Sequence, residues 1–250
     1  MIRSAIKALS PFQGSMGLDA GCGIGLPALL LAEKIGTSGH VTGLDQSSET
    51  LKLAEELTNT VNFSERVSYQ KGDISQLPFK DNTFDWVWSM DCAGYAPLEP
   101  IPLLLEFERV VKPGGTVAII AWSSENLLPG YPLLEARLRA TASGISPFVK
   151  GQKADRHFLS ALRWFKEIGL EKLTVKTFAG NLHAPLSKVE KYSLTALFKM
   201  RWYGIEKELS DQDYSDYQRL CLVESPEFIV YRTDYYAFFT YSMFMGKVPI

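Results

Sequence analysis

The chain has 250 residues, 46% hydrophobic and 22% charged, enough apolar material for a large packed core and too few charges for a disordered chain. Its 26 basic and 28 acidic residues leave a formal net charge of -2, which excludes the overall positive field that draws proteins to phosphate backbones, so no nucleic-acid partner is expected. The three cysteines, Cys22, Cys92 and Cys221, are too far apart for a disulfide framework or paired zinc ligands. No stretch reaches the roughly 18 apolar residues of a membrane span, and a soluble cytoplasmic protein is expected.

From residue 16 short apolar runs alternate with segments of helical spacing, the beat of parallel strands joined by crossover helices. Met16 to Ala20 is the first predicted strand and runs into the loop Gly21-Cys22-Gly23-Ile24-Gly25. A helix follows with Pro27 in its first turn, where a missing N–H is tolerated, and it stops at Gly36. His40 to Asp45 is the second strand, and Ser47 or Ser48 caps the next helix, whose Leu51, Ala54 and Leu57 share a face. Arg66 to Lys71, Thr83 to Ser89 and Thr116 to Trp122 read as further strands, the last preceded by a Pro102-led helix and the turn Lys112-Pro113-Gly114-Gly115.

After Trp122 the beat changes. Pro129, Pro132 and Pro147 with Gly130, Gly144 and Gly151 mark an excursion holding one short helix, Leu133 to Thr141. A helix near Asp155 to Ile168 and a strand near Leu170 to Phe178 resume the sheet pattern, a second helical excursion covers about 186–224, and Tyr235 to Met245 suits a closing strand. The fold class is therefore α/β, a doubly wound, mostly parallel seven-stranded sheet with helical cap insertions. The expected organisation is a core over residues 1–122, a cap over 123–154, core continuation over 155–180, a helical cap over 181–226 and a C-terminal strand over 227–250. Of the 30 aromatic residues, 21 follow residue 121, so the second half is the one expected to line a cavity.

A glycine-rich turn between a strand and a helix aims backbone N–H groups at the crevice beyond the carboxyl ends of the strands. A dinucleotide fingerprint wants glycine at the first, third and sixth positions of that turn, but Leu26 stands sixth and the third glycine arrives early, at Gly25. The segment Leu18-Asp19-Ala20-Gly21-Cys22-Gly23-Ile24-Gly25 instead resembles the first motif of the class I methyltransferases that use S-adenosyl-L-methionine. Four further segments agree in order with that family: Val41-Thr42-Gly43-Leu44-Asp45, Gly72-Asp73-Ile74, Phe84 to Asp91, and Val110 to Thr116. The pattern is most similar to the branch acting on small molecules in quinone biosynthesis.

The resemblance implies a Rossmann-like methyltransferase fold and S-adenosyl-L-methionine as cofactor, leaving as S-adenosyl-L-homocysteine. It assigns cofactor binding to Asp19, Gly21, Cys22, Gly23 and Gly25, ribose contact to Asp45 with Gln46 beside it, adenine contact to Asp73 and Ile74, and contact with the methionine part to Met90 and Asp91. Asp73 has a second reading as the cap of its own turn, and Asp85 reads as a strand-edge anchor. The sulfonium donor is already activated, so in-line transfer needs chiefly alignment and exclusion of water, with a general base only for a protonated acceptor. Tyr95, His157 and His183 are the candidate catalytic groups, and Tyr95, Trp202 and Tyr203 the candidate acceptor contacts; the segment Trp202 to Tyr217 reads as a lid. The three histidines show no ligand spacing, and no metal is expected. The expected acceptor is a small, partly apolar or aromatic molecule methylated at O, N or C. A non-catalytic protein binding the same cofactor and a nicotinamide-dependent oxidoreductase are the alternatives.

Overall fold

The computed structural model describes residues 1–95 and 98–250. Its sheet has seven strands in the order β3-β2-β1-β4-β5-β7-β6, with β1 Met16–Ala20, β2 His40–Asp45, β3 Val67–Lys71, β4 Phe84–Met90, β5 Val111–Asn126, β6 Glu171–His183 and β7 Tyr236–Lys247. The pairs β1/β2, β1/β4, β2/β3 and β4/β5 are parallel. The strand order steps outward from β1 in both directions, so β1 and β4 flank the switch point where doubly wound sheets open a crevice at their carboxyl ends. Strand β7 runs against β5: the Gly114 N–H donates to Val248 O at one end, and Ser123 Oγ meets Thr240 Oγ1 at the other.

Two compact units share the chain: residues 1–122, 153–178 and 241–250, and residues 123–152 and 179–240. Residues 227–240, expected with the closing strand of the core, fall in the second unit, because Phe228, Ile229, Val230 and Tyr235 complete that unit's own apolar core.

In the first unit, helices α1 Ile2–Leu9, α2 Leu26–Ile35, α3 Ser48–Thr60, α4 Pro100–Val110 and α6 Ala161–Glu167 accompany the strands. The short helix α1, unmarked in the sequence reading, buries Ala5, Ile6 and Leu9 and ends on Ser10 in the left-handed conformation. Leu18, Val87, Val117, Leu103, Phe107 and Phe165 are buried in one cluster, so the alternation of apolar runs becomes a packed sheet-helix core. Helix α3 starts where the sequence indicated: Ser47 accepts the Thr50 N–H at 3.2 Å, satisfying one orphan donor of the first turn. The helix expected over 155–168 is shorter, since two 3₁₀ turns, 154–156 and 158–160, precede α6.

The second unit contains α5 Pro132–Arg139, α7 Lys188–Arg201 and α8 Asp211–Cys221. Its core gathers Leu134, Leu138, Leu194, Phe198, Trp202, Tyr217 and Phe228. Buried Glu135 on α5 accepts the Leu127 N–H at 2.6 Å and the Leu128 N–H at 3.3 Å, tying two otherwise orphaned backbone donors to one carboxylate. Helix α7 opens with a capping box, the Ser187 side chain and Glu190 bonding each other's backbone N–H. The segment read as a lid contains the first residues of α8, and both Trp202 and Tyr217 are buried in this core.

Candidate active site

The glycine loop leaves β1 and enters α2 through alternating left-handed turns, with φ of +79° at Gly21, +52° at Gly23 and +79° at Gly25. Only glycine adopts these values freely. The Gly21 and Cys22 N–H groups both donate to Leu44 O, at 2.8 and 3.0 Å, which anchors the loop to the end of β2. A Cβ at Gly21 would lie 2.3 Å from Cys92 Sγ, and one at Gly25 would lie 2.2 Å from Tyr69 Oη; Gly23 has nothing within 4 Å. Two of the three glycines are therefore required by the protein's own packing, and the middle one borders open space.

Behind this loop lies Asp19, wholly buried, with both carboxylate oxygens unpartnered. Burial first, and the Asp45 carboxylate second, push Asp19 up to about 8; the Ala28 N–H in the first turn of α2 opposes that rise without reaching bonding geometry. An isolated buried carboxylate is costly unless a donor or cation meets it. Asp45, at the tip of β2, accepts the Gly23 N–H at 2.9 Å on Oδ2 and the Ser47 N–H at 2.9 Å on Oδ1. It thus fixes the open glycine and caps the turn into α3, and a carboxylate has about four lone-pair directions, so acceptor capacity remains. Gln46 is exposed in the bend that follows.

At the end of β4, Met90 pairs with Ile120 of β5, and Asp91 stands in the left-handed region with φ of +54°. Backbone held there in a non-glycine residue is over-determined by its surroundings. Asp91 Oδ1 accepts the Tyr95 hydroxyl and the Trp122 N–H, each at 2.8 Å, and Oδ2 accepts the Tyr241 hydroxyl at 3.0 Å. Burial, followed by the Asp91 charge, pushes the Tyr241 phenol far up, so it remains a donor, and its ring lies edge-on to Trp122 at 5.4 Å between centroids. Tyr241 escaped the sequence reading because it is 150 residues from Asp91 and sits in a strand whose aromatic run reads as core. Cys92 is pushed up to about 12 and Cys22 further up, both chiefly by burial, which leaves them as thiols and not nucleophiles.

Asp73 is exposed, and its Oδ1 accepts both the Ser75 N–H at 2.8 Å and the Ser75 hydroxyl at 2.7 Å, the capping role of the second reading. Ile74 packs against the first unit's core. Asp85 anchors the strand edge by accepting the Met16 N–H and the Lys112 ammonium, both at 2.7 Å.

Of the candidate catalytic groups, Tyr95 joins the Asp91 cluster. The turn carrying His157 packs on the same loop, since a Cβ at Gly94 would lie 3.0 Å from Phe158 Cβ. His157 Nδ1 accepts the Leu159 N–H at 3.3 Å, which makes Nε2 the protonated nitrogen of the neutral ring, and burial holds its pKa below the ordinary value. The remaining candidates lie in the second unit. His183 belongs to the second unit, is exposed and bonds the carbonyl of its own neighbour, Ala184, at 2.9 Å. Trp202, expected to touch the acceptor, is a core side chain of that unit, 4.8 Å between ring centroids from Phe198, because a helical cap needs large apolar side chains to close its interior. Tyr203 beside it is exposed.

Residues 18–119 match the family model described as "Methyltransferase domain". A "Demethylmenaquinone methyltransferase" of Lysinibacillus sphaericus is 34% identical over 200 residues, covering 72% of this chain and 80% of the relative. The chain belongs to the S-adenosylmethionine-dependent class I methyltransferases. Relatives of the same description from Listeria align over 53% of their own length. In fold, the chain resembles a putative methyltransferase from Bacillus halodurans, with a TM-score of 0.59, 20% identity and 99% of both chains covered. It also resembles phosphoethanolamine N-methyltransferase 2 of Haemonchus contortus in complex with S-adenosyl-L-methionine, with a TM-score of 0.57, 20% identity, and 99% of this chain and 52% of that one covered.

The cofactor of this methyltransferase is S-adenosyl-L-methionine, and the loop fits it on observations internal to the chain: open space at Gly23 and an unpartnered buried carboxylate at Asp19 awaiting a cationic or hydrogen-bonding group. The nicotinamide reading is set aside with this membership. Among the described residues no cluster of His, Cys, Asp and Glu suits a metal, and no helix is long and apolar enough to cross a membrane. A cavity of about 210 Å³ lined by Phe12, Trp86, Lys112 and Lys247 lies by the amino ends of β4 and β5, and none of the residues assigned to cofactor binding line it.

Proposed function

We propose that this methyltransferase acts on a small, partly apolar or aromatic acceptor, at O, N or C, and that demethylmenaquinone, named in its relatives, exemplifies the type. The observation that carries the reading is the Asp91 cluster: one carboxylate accepting from two phenols beside an indole at the carboxyl end of β4. Phenol and indole rings gathered around one carboxylate suit a ring bearing an oxygen, and the chain's net charge of -2 speaks against a phosphate backbone.

In this reading Asp19, the Gly21–Gly25 loop, Asp45, Gln46, Asp73, Ile74, Met90 and Asp91 hold the cofactor. When bound, the cofactor supplies an electrophilic methyl for in-line displacement. Asp45 fixes the Gly23 backbone, Asp91 fixes Tyr95 and Tyr241, and Tyr95 orients the acceptor oxygen. His157, neutral at physiological pH, turns its one lone pair on Nδ1 to the Leu159 N–H, so in this reading it serves the acceptor as a hydrogen-bond donor through Nε2–H. The three free cysteines support a reducing, cytoplasmic setting.

Incubation with methyl-labelled cofactor and a cell extract, followed by partition between organic and aqueous phases, tests the reading. Label in an organic-phase metabolite is expected. Label confined to protein or nucleic acid overturns the acceptor class, and no label despite binding of S-adenosyl-L-homocysteine identifies an accessory binder.

A further inference from the structure

We infer that the outward face of α7 is a contact surface for a lipid bilayer carrying anionic headgroups. Helix α7 is apolar on two sides. Leu194 and Phe198 face the second unit's core, while Val189, Tyr192 and Met200 stand 74%, 76% and 71% exposed, with Ala196 exposed between them. Their spacing of three, four and four residues puts them on one stripe, about 16 Å long at 1.5 Å per residue. Tyr203, 81% exposed, extends the stripe beyond the helix end. A single surface-facing Leu or Met needs no explanation, but an ordered row does.

Charge and shape choose the partner. Lys188 and Lys199 are exposed on one flank of the stripe, while Lys191 reaches back toward the Tyr231 ring, 6.0 Å from its centroid. The helix's one acidic residue, Glu190, is folded back into the capping box with Ser187. Arg201 at the helix end is paired with the buried Glu125 at 2.8 Å, so the positive charge beside the stripe comes from Lys188 and Lys199, in a chain whose formal net charge is -2. Fractional exposures above 70% describe a ridge, not a groove wall. A ridge of valine, methionine and tyrosine beside lysines requires a matching cleft in a protein partner, but a fluid headgroup-acyl boundary accepts it without one, and tyrosine and lysine are the side chains that settle at that boundary. The inference goes beyond the acceptor assignment and is tested without any acceptor.

The test is co-sedimentation of the whole chain with vesicles of phosphatidylcholine alone and of equal parts phosphatidylcholine and phosphatidylglycerol. Binding to the anionic vesicles, weakened by added salt, is expected. The double variant Val189→Asp/Met200→Asp is expected to lower partition at least about tenfold, and Lys188→Gln and Lys199→Gln to lower it roughly fivefold each, the factor corresponding to about 1 kcal/mol per basic residue near an anionic surface. All four positions are exposed, and unchanged titration with S-adenosyl-L-homocysteine checks that the variants fold. Should the double variant not fold, Met200→Trp reports directly, through an emission blue shift on anionic vesicles. No sedimentation and no blue shift overturn the inference, as does wild-type partition retained by the folded double variant. A dimer that the double variant dissolves, without vesicle binding, assigns the face to a second copy and equally overturns it.

Discussion

The glycine loop permits a paired test, because Gly23 and Gly25 share a strained backbone region and differ in what surrounds them. Alanine at either position must hold a left-handed φ, +52° or +79°, which costs an L-residue roughly 1–2 kcal/mol. At Gly25 the new methyl would also meet Tyr69 Oη at 2.2 Å, Tyr69 Cζ at 2.9 Å and Ala54 Cβ at 3.1 Å. That phenol pairs with Thr58 Oγ1 at 2.8 Å and cannot swing without losing the bond, so overpacking adds roughly another 1–3 kcal/mol. At Gly23 no atom lies within 4 Å, so Gly23→Ala costs the backbone strain alone. With roughly 2–4 °C of Tm per kcal/mol at this size, Gly23→Ala is expected to melt a few degrees below wild type and Gly25→Ala clearly lower. Cofactor affinity runs the other way for its size: if the open space at Gly23 is where the cofactor lies, a methyl there weakens S-adenosyl-L-homocysteine by at least about tenfold, or 1.4 kcal/mol, despite the milder loss of stability. Thermal denaturation and calorimetric titration on both variants decide the matter. Gly23→Ala titrating as tightly as wild type would refute the reasoning, since the space beside the middle glycine would then be vacant in the complex as well.

Other expectations follow from individual contacts. Asp19 is held near 8, above the ordinary 3.8, so the cofactor-free fold binds that proton more tightly than the unfolded chain; stability from this group is present below 3.8 and is lost as pH rises toward 8, and Asp19→Asn removes that slope in pH-dependent melts. A cationic cofactor lowers Asp19 again, so binding at neutral pH is expected to release a proton, read by calorimetry in buffers of different ionisation enthalpy; no proton release contradicts this. Tyr241→Phe deletes the 3.0 Å donor to Asp91 and is expected to destabilise by about 1–3 kcal/mol and to reduce turnover, whereas an unaltered Tm and rate would make Tyr241 a packing residue only. Glu135→Ala leaves the buried Leu127 and Leu128 N–H groups without their acceptor and is expected to destabilise by about 2–4 kcal/mol in denaturant titrations, against a null result if water replaces the carboxylate freely.

What could be read in the sequence was what local chemistry controls. The bounds of β1 and β2 match because Met16–Ala20 and His40–Asp45 end in turns whose residues are chemically forced, glycine in one case and a carboxylate followed by a serine cap in the other. The glycine loop and Asp45 were legible for the same reason, all lying within one strand-turn-helix unit. Strand β5 extends well past Trp122, to Asn126, because its continuation pairs with β7, a partner more than 100 residues away that no local pattern announces. Tyr241 is the same case at the level of a side chain. Trp202 shows the limit of composition: an aromatic in a helical excursion fits a cavity wall and a packed interior equally well on paper, and the contacts with Phe198 and Tyr217 appear only in three dimensions. Asp73 was ambiguous in the sequence because a carboxylate two residues before a serine caps its own turn as readily as it accepts from a ligand.

The central claim is that the loop over residues 21–25, with Asp19 and Asp45, holds the adenosyl sulfonium donor. A crystal structure of the complex with S-adenosyl-L-homocysteine tests it most directly. The product is expected along Gly23, with Asp45 on its ribose and its ammonium group supplying the partner that Asp19 lacks; product bound elsewhere, with Asp19 still unpartnered, would contradict the account.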